Sequence, residues 1–492
     1  MTETAKKKRG MPSSFTILLA LLAIVAVITV IVSGTSGGAV TAARLSDFCT
    51  APVKGFADAL PVCLFVMILG GFLGMMTETG ALDNGIAVLV QKLKGNEIML
   101  IPVLMLIFSL GGTTYGMCEE TVPFYALLAA TMMAAGFDPM VGAATVLLGA
   151  GCGCLGSTVN PFAVGAAVDA LTGVDIAVNQ SIIIGLGAVL WIVTTAMSIV
   201  FVMSYAKKVK ADKGSTILSM QELKDAEEAH GKAASEVHKE VKLTGRQKGV
   251  LIAFAFTFVV MIVGFIPLAD LNEGVANFFD AGAVYDADGN AVVQGWSALI
   301  TGLPIGQWYF DEASTWFFLM AILIGIIGGL SEKQIVNTFI TGAADMMSVV
   351  LVIALARGIS VLMASTGLDV YVLDAAANAL AGLSGVIFAP MSFLVYFGLS
   401  FLIPSTSGMA TVSMPIMGPL AVKLGFSPEV MVMIFSAAIG VVNLFTPTSG
   451  AIMGGLALAK IEWTTWLKFA LKLIVALSVV CAVILTIACV ML

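Results

Sequence analysis

The run GGTTYGMCEETVP, residues 111–123, decides how the rest of the chain is read. Apolar sequence flanks it on both sides for about the length of one helix. Two adjacent carboxylates, Glu119 and Glu120, stand where hydrocarbon is expected. A charge at the centre of a bilayer costs roughly 2.5–3.5 kcal/mol on insertion scales, so such charges mark function or pair with one another. Thr113, Thr114 and Gly116 interrupt the apolar pattern just ahead of them. The stretch 98–135 therefore reads as a re-entrant hairpin with its tip inside the membrane.

Composition sets that reading in context. The chain has 492 residues, 59% hydrophobic and only 11% charged, against about 25% charged in soluble proteins. Several apolar runs reach the ~20 residues that cross hydrocarbon. The fold class is an all-α polytopic membrane protein. The first run, SFTILLALLAIVAVITVIVS, exceeds a typical signal-peptide core and reads as a retained helix. The seven cysteines are scattered, and CGC at 152–154 lacks zinc spacing. His230 and His238 both fall in a charged loop, leaving no histidine relay within the membrane. Phosphate-loop, zinc-protease and nucleophile-elbow motifs are all missing from the sequence, so neither an ATP-driven pump nor an enzyme is expected. No cofactor and no nucleic-acid partner is expected. The expected surroundings are a lipid bilayer and a small-molecule substrate.

Charge distribution orients the chain. Spans are read near 14–33, 60–78, 181–204, 248–268, 315–330, 347–365 and 465–490. Two interrupted segments, 140–170 and 429–459, read as broken spans, and 384–424 as a second hairpin. With the N-terminus in the cytoplasm, 20 of the 24 Lys and Arg residues lie on the cytoplasmic side, the positive-inside pattern. Residues 249–332 hold no Lys or Arg, while Asp270, Glu273, Asp280, Asp286 and Asp288 make 269–314 an acidic external loop. The segment 205–247 reads as a mixed-charge cytoplasmic linker with one solvated helix, and 248–268 as a connecting span. The C-terminus is then external, in a multi-pass protein of the cell inner membrane.

The chain also repeats itself. VKGFADALPVCLFVMILGGFLGMMTETG from Val53 aligns with ITGAADMMSVVLVIALARGISVLMASTG from Ile340 at an offset of 287. Gly55, Ala57 and Asp58 match Gly342, Ala344 and Asp345; Gly71 matches Gly358. Further on, TTYGM aligns with STSGM, GFDP with GFSP, and STVNP with TPTSG. Residues 1–204 and 315–492 are thus two repeats, and the single span 248–268 inverts one relative to the other. Inverted repeats with interrupted helices are a secondary-transporter architecture. Unwound backbone at membrane depth is tolerated only where it lines a cavity or is buried in protein.

The segments GGTTYGMCEETVPFYALL, GCLGSTVNPFAVG, LARGISVLMASTG and NLFTPTSGAIMGGLALAKIEW resemble the YfcC-type branch of the anaerobic C4-dicarboxylate carrier (DcuC-like) family, within the ion transporter superfamily. The resemblance covers nearly the whole chain. It implies a homodimer with scaffold and transport domains, moving as an elevator. It implies dicarboxylate, citrate or amino-acid-like substrates, and for this branch basic amino acid antiport. The substrate residues it implies are Thr113, Thr114 and Gly116 at one tip and Ser405, Thr406, Ser407 and Gly408 at the other. At the breaks they are Ser157, Thr158 and Asn160, then Asn443, Thr446, Thr448 and Ser449. A coupling ion, Na+ or H+, is implied, with Na+ near Ser157, Asn160, Thr448 and Ser449. Both tips lack the asparagine of the family's Ser-Asn-Thr hairpin motif.

In the repeat alignment Glu119 and Glu120 face Thr411 and Val412, and Arg357 faces Gly70. Three roles remain open for these charges. Arg357 pairs with a hairpin glutamate; or a glutamate carries the coupling proton or binds Na+; or the glutamates bind a substrate cation while Arg357 or a helix N-terminus takes its carboxylate. Two ionised carboxylates disfavour an anionic dicarboxylate, which tilts the expectation towards amino acids. A channel and a membrane enzyme are the rival classes.

Overall fold

The computed structural model describes residues 14–492 apart from 83, 86–87, 89–95, 237–241, 267, 272, 287–290 and 404. The basic clusters Lys6–Arg9 and Lys92/Lys94, with His238 and Asp288, lie outside the described residues.

The chain is almost entirely helical. In order the helices are α1 (Ser14–Ser33), α2 (Leu45–Asp58), α3 (Leu60–Glu78), α4 (Leu100–Tyr115), α5 (Val122–Ala134), α6 (Pro139–Leu155), α7 (Ala166–Thr172), α8 (Gln180–Ala211), α9 (Met220–Glu236) and α10 (Gly245–Phe265). Then come α11 (Leu268–Leu271), α12 (Glu273–Phe279), α13 (Phe310–Gly328), α14 (Glu332–Asp345), α15 (Met347–Thr366), α16 (Leu368–Leu380), α17 (Gly385–Leu402), α18 (Thr406–Lys423), α19 (Pro428–Val442), α20 (Gly450–Leu458) and α21 (Trp463–Met491). Eight helices among the described residues are long and apolar enough to cross a membrane. The 269–314 stretch is more than a loop. It holds α11, α12 and an antiparallel ribbon, β1 (Val284–Tyr285) with β2 (Ala291–Val293).

Where the helices break has a local cause. Pro61 has no N–H to continue the ladder from α2, and the chain turns at Ala59 into α3. Pro161 follows the break after α6, and Asn160 caps the π-helical turn 161–165 that leads into α7. Helix bounds recur along the chain: α2 and α14 start 287 residues apart, as do α3 and α15.

The two α2–α3 and α14–α15 units pack against each other, α2 on α15 and α3 on α14. Glycines set the approach. A Cβ on Gly55 would collide with Ala354 and Gly358, and one on Gly342 with Gly70 and Gly71. At the offset of 287 the Gly55–Gly358 contact corresponds to Gly342 with Gly71, which is also in contact, so each crossing is the image of the other. Small residues let helices approach this closely where hydrocarbon supplies no driving force between them.

The hairpins (α4–α5, α17–α18) and the broken helices (α6–α7, α19–α20) pack together with α8 and α21 as a second layer. Its core is deep: α6 and α19 are buried along nearly their whole length. Between the layers sits a small apolar cluster, including Ala59, Cys63, Val66, Val122, Val350, Ile353 and Ala451.

The linker departs from expectation. Helix α9 is present, yet it is docked rather than solvated. Glu222 is 4% exposed and accepts hydrogen bonds from the backbone N–H groups of Ser219 (2.7 Å) and Glu462 (2.9 Å). His230 is 9% exposed, and its Nε2 donates to the Leu458 carbonyl at 3.1 Å. The linker therefore clamps the end of α20 and the start of α21.

Candidate functional site

The first hairpin tip is fastened to the first broken helix. Helix α4 ends at Gly116 with φ +79°, a left-handed cap natural to glycine. A Cβ there would occupy the place of the Asn160 amide. The Thr113 hydroxyl donates to the Gly156 carbonyl at 2.6 Å, and Thr158 N–H donates to the Thr113 carbonyl at 2.9 Å. Asn160 Nδ2 donates to Ser157 Oγ at 2.9 Å, while its Oδ1 accepts from Phe162 and Ala163 N–H at 2.9 and 3.3 Å. Thr113, Ser157 and Thr158 thus stitch backbone together, and Thr114 bonds back to Leu110 within its helix.

The second half uses helix N-termini. Ser405 Oγ caps α18 by accepting from Gly408 N–H at 3.1 Å, and Ser449 Oγ caps α20 by accepting from Ile452 N–H at 3.5 Å. The Thr446 and Thr448 hydroxyls share a hydrogen bond of 2.7 Å. Asn443 ends α19.

All four interruptions meet at one chamber of about 330 Å³. Gly116, Glu119, Glu120 and Asn160 line it from the first half, with Ser405, Thr406, Ser407, Asn443, Thr448 and Ser449 from the second. Arg357 lines it from α15. Thr113, Thr114, Ser157, Thr158, Gly408 and Thr446 stand behind its wall. Of the four residues expected near Na+, Ser157 is therefore set back, and Asn160 Oδ1 already faces two N–H donors.

The carboxylates differ. Glu120 is 1% exposed and its Oε2 accepts from Cys118 N–H at 3.0 Å. Glu119 is half-buried in the chamber wall. Of the three roles left open, the pairing of Arg357 with a hairpin glutamate is not what forms: Arg357 Nε pairs with Asp58 Oδ2, at the end of α2. The physical reason is geometry. The crossing of α2 over α15 brings residues 55 and 358 into contact, which places Asp58 beside Arg357. Asp58 also lines the chamber, as do Cys118, Tyr125, Cys154, Phe162 and Phe310, none of which the sequence singled out for the site. For Asp58 a signal existed, because it matches Asp345 in the repeat.

A second cavity, of about 830 Å³, lies between the same two layers. Gly70, Glu78, Asp345, His230, Leu458 and Lys460 are among its walls. The apolar cluster separates the cavities: Ala59, Ile353 and Ala451 line the chamber, and Met346 and Leu458 the second cavity.

Interrupted helices meeting at a polar chamber inside an apolar helical body define a membrane transporter. The chain belongs to the C4-dicarboxylate anaerobic carrier family, whose model matches residues 33–490. A Haemophilus influenzae protein of uncharacterized function is 28% identical over 445 residues, covering 90% of this chain and 78% of the relative. Escherichia coli YfcC, provisionally named a basic amino acid antiporter, is 27% identical over 440 residues, covering 87% and 77%. Two solved structures are similar along the chain. Neisseria gonorrhoeae MtrF, described with a class of antimetabolite efflux pumps, has a TM-score of 0.44 at 17% identity, covering 98% of this chain and 96% of its own. The Alcanivorax borkumensis YdaH transporter has a TM-score of 0.46 at 16% identity, covering 97% and 98%.

Proposed function

We propose that this transporter carries an amino acid, preferably a basic one, by exchange or by coupling to Na+ or H+. The observation that carries the reading is the pairing of opposites in one chamber. Glu119 and Glu120 stand in the same cavity as the N-terminal turns of α18 and α20. Helix N-termini attract carboxylates through free N–H groups and the helix dipole. The Ser405, Thr406, Ser407 and Ser449 hydroxyls add donors there. The glutamates suit an ammonium or guanidinium group. A chamber of this size falls within the ~300–1,000 Å³ usual for small-molecule sites. The name of YfcC points to the same substrate class.

The family's name favours a second reading, a C4-dicarboxylate. That substrate would meet the two glutamates as well as the helix N-termini, and the cationic side chain lining the chamber among the described residues, Arg357, is held by Asp58. In the proposed orientation the N-terminus and the 205–247 linker are cytoplasmic and the two halves are inverted. The chamber then lies towards the outer face and the second cavity towards the cytoplasm.

Counterflow in proteoliposomes tests the substrate. Labelled arginine is expected to accumulate against internal arginine or lysine and to saturate. Accumulation driven by succinate but not by arginine would replace the amino acid reading with the dicarboxylate one.

A further inference from the structure

We propose that Asp58 is a specificity-determining residue. It occupies the Arg357 guanidinium and so keeps the chamber selective for cationic over dianionic substrates. The inference rests on the amino acid reading and extends it to a residue outside the hairpins and broken helices.

The argument is a charge balance in a confined space. Arg357 sits at mid-helix in α15, with a side chain 29% exposed, and Asp58 at the end of α2 is 50% exposed. Both line the chamber with Glu119 and Glu120. With Asp58 ionised, Arg357 is neutralised and the two glutamates set the sign of the chamber. Without Asp58, the guanidinium keeps five N–H donors in a planar fork that suits a carboxylate. A dianion would then gain a partner that it lacks in the native chain.

The repeat supplies an internal comparison. The position equivalent to Asp58 is Asp345, at the end of α14, and the position equivalent to Arg357 is Gly70. Asp345 and Gly70 both line the second cavity. The same helix crossing thus occurs twice, and one copy holds its aspartate opposite glycine. The crossing does not need the ion pair in order to form. The arginine, and with it the ion pair, is specific to the chamber that holds the glutamates.

The test measures exchange affinity for arginine and for succinate in wild type, Asp58→Asn, Arg357→Gln and the double variant. In Asp58→Asn, affinity for succinate relative to arginine should rise about tenfold, the worth of a charge-assisted hydrogen bond. The double variant should return to the native ratio, since it restores a chamber dominated by the glutamates. Asp58→Glu should retain the native ratio. A purely structural pair would lower stability and both affinities together and leave the ratio unmoved, which would overturn the proposal. Should Asp58→Asn fail to assemble, Arg357→Gln alone decides: it leaves Asp58 unneutralised beside the glutamates, so affinity for succinate relative to arginine should fall about tenfold, and an unmoved ratio would overturn the proposal. Failure of wild-type protein to exchange arginine at all would instead remove the amino acid reading beneath it.

Discussion

Glu119 and Glu120 are neighbours in sequence with different surroundings. Glu120 is buried and tied to the Cys118 N–H, while Glu119 is half-buried at the chamber wall. Replacing either with Gln removes charge and keeps size. Where the glutamate binds a substrate cation, affinity for arginine should fall at least tenfold, from loss of about 1.5–3 kcal/mol, and affinity for alanine by less. A glutamate that only carries the coupling proton would keep exchange affinity and lose gradient-driven uptake, so the two assays separate the roles. Gly116 offers a second test. Alanine there meets both a left-handed backbone, costing roughly 1–2 kcal/mol, and the Asn160 amide. Gly116→Ala should lower the thermal midpoint and weaken substrate affinity together. An unchanged midpoint would show that the tip and the break are not tightly joined.

At the scale of elements, the two hairpins are not copies at their tips. Glu119–Thr121 form a short 3₁₀ turn ahead of α5, whereas the aligned Thr411 and Val412 lie inside α18. The first tip therefore presents carboxylates and the second a helix N-terminus. Asn160 is the hinge of the first break, because its Oδ1 satisfies two otherwise free N–H groups. Asn160→Ala should cost about 0.5–2 kcal/mol, as loss of an N-cap does, and should weaken transport while membrane insertion persists. Helix α9 adds a pH dependence. Burial lowers the His230 pKa from its usual 6.5; the Leu458 carbonyl opposes this shift and the Lys460 charge adds to it. The Glu78 and Asp345 carboxylates line the same cavity. Between the lowered value and 6.5, the released helix binds a proton that the docked helix does not. Docking is then at full strength above about pH 6.5 and weakens as pH falls. Hydrogen-exchange protection over residues 220–230, corrected for the intrinsic pH dependence of amide exchange, should fall at pH 5.5 relative to pH 7.5, and His230→Gln should flatten the difference. Equal protection at both values in the native chain would refute it.

Across the whole molecule, two cavities flank one apolar cluster between two packed layers. Cys63 and Val350, equivalent positions in the repeat, touch within that cluster, Cys63 Sγ lying 3.9 Å from the Val350 carbonyl oxygen. Under the inverted orientation the cavities open to opposite faces. Reporter fusions after Met220 and at Leu492 should then report opposite sides of the membrane. The same side for both would refute the inversion.

Hydropathy located seven of the eight long apolar helices as spans, because a span must be continuously apolar and about 20 residues long; the eighth, Glu97–Tyr115, was read as a hairpin arm. Breaks at 116–121, 156–160 and 443–449 were legible as well, since Gly, Ser, Thr, Asn and Pro cannot continue an apolar helix without a reason. Those local rules do not say which interruptions share a chamber and which side chains turn away from it. Thr113 and Ser157 read as binding residues; their hydroxyls donate to the Gly156 and Cys154 carbonyls. The role of Arg357 stayed open in the sequence, between pairing with a glutamate and taking a substrate carboxylate, and it is held by Asp58 across a crossing of helices roughly 300 residues apart in sequence. The linker read as solvated because its composition is polar, yet two of its side chains satisfy backbone groups at the α20–α21 turn. Periodicity and composition carry one-dimensional information, so the sequence determined where the chain is apolar, where its helices break and where their bounds recur. Partner choice depends on which helices cross and how closely. Only the packing of glycine against glycine at those crossings decided which charge meets which.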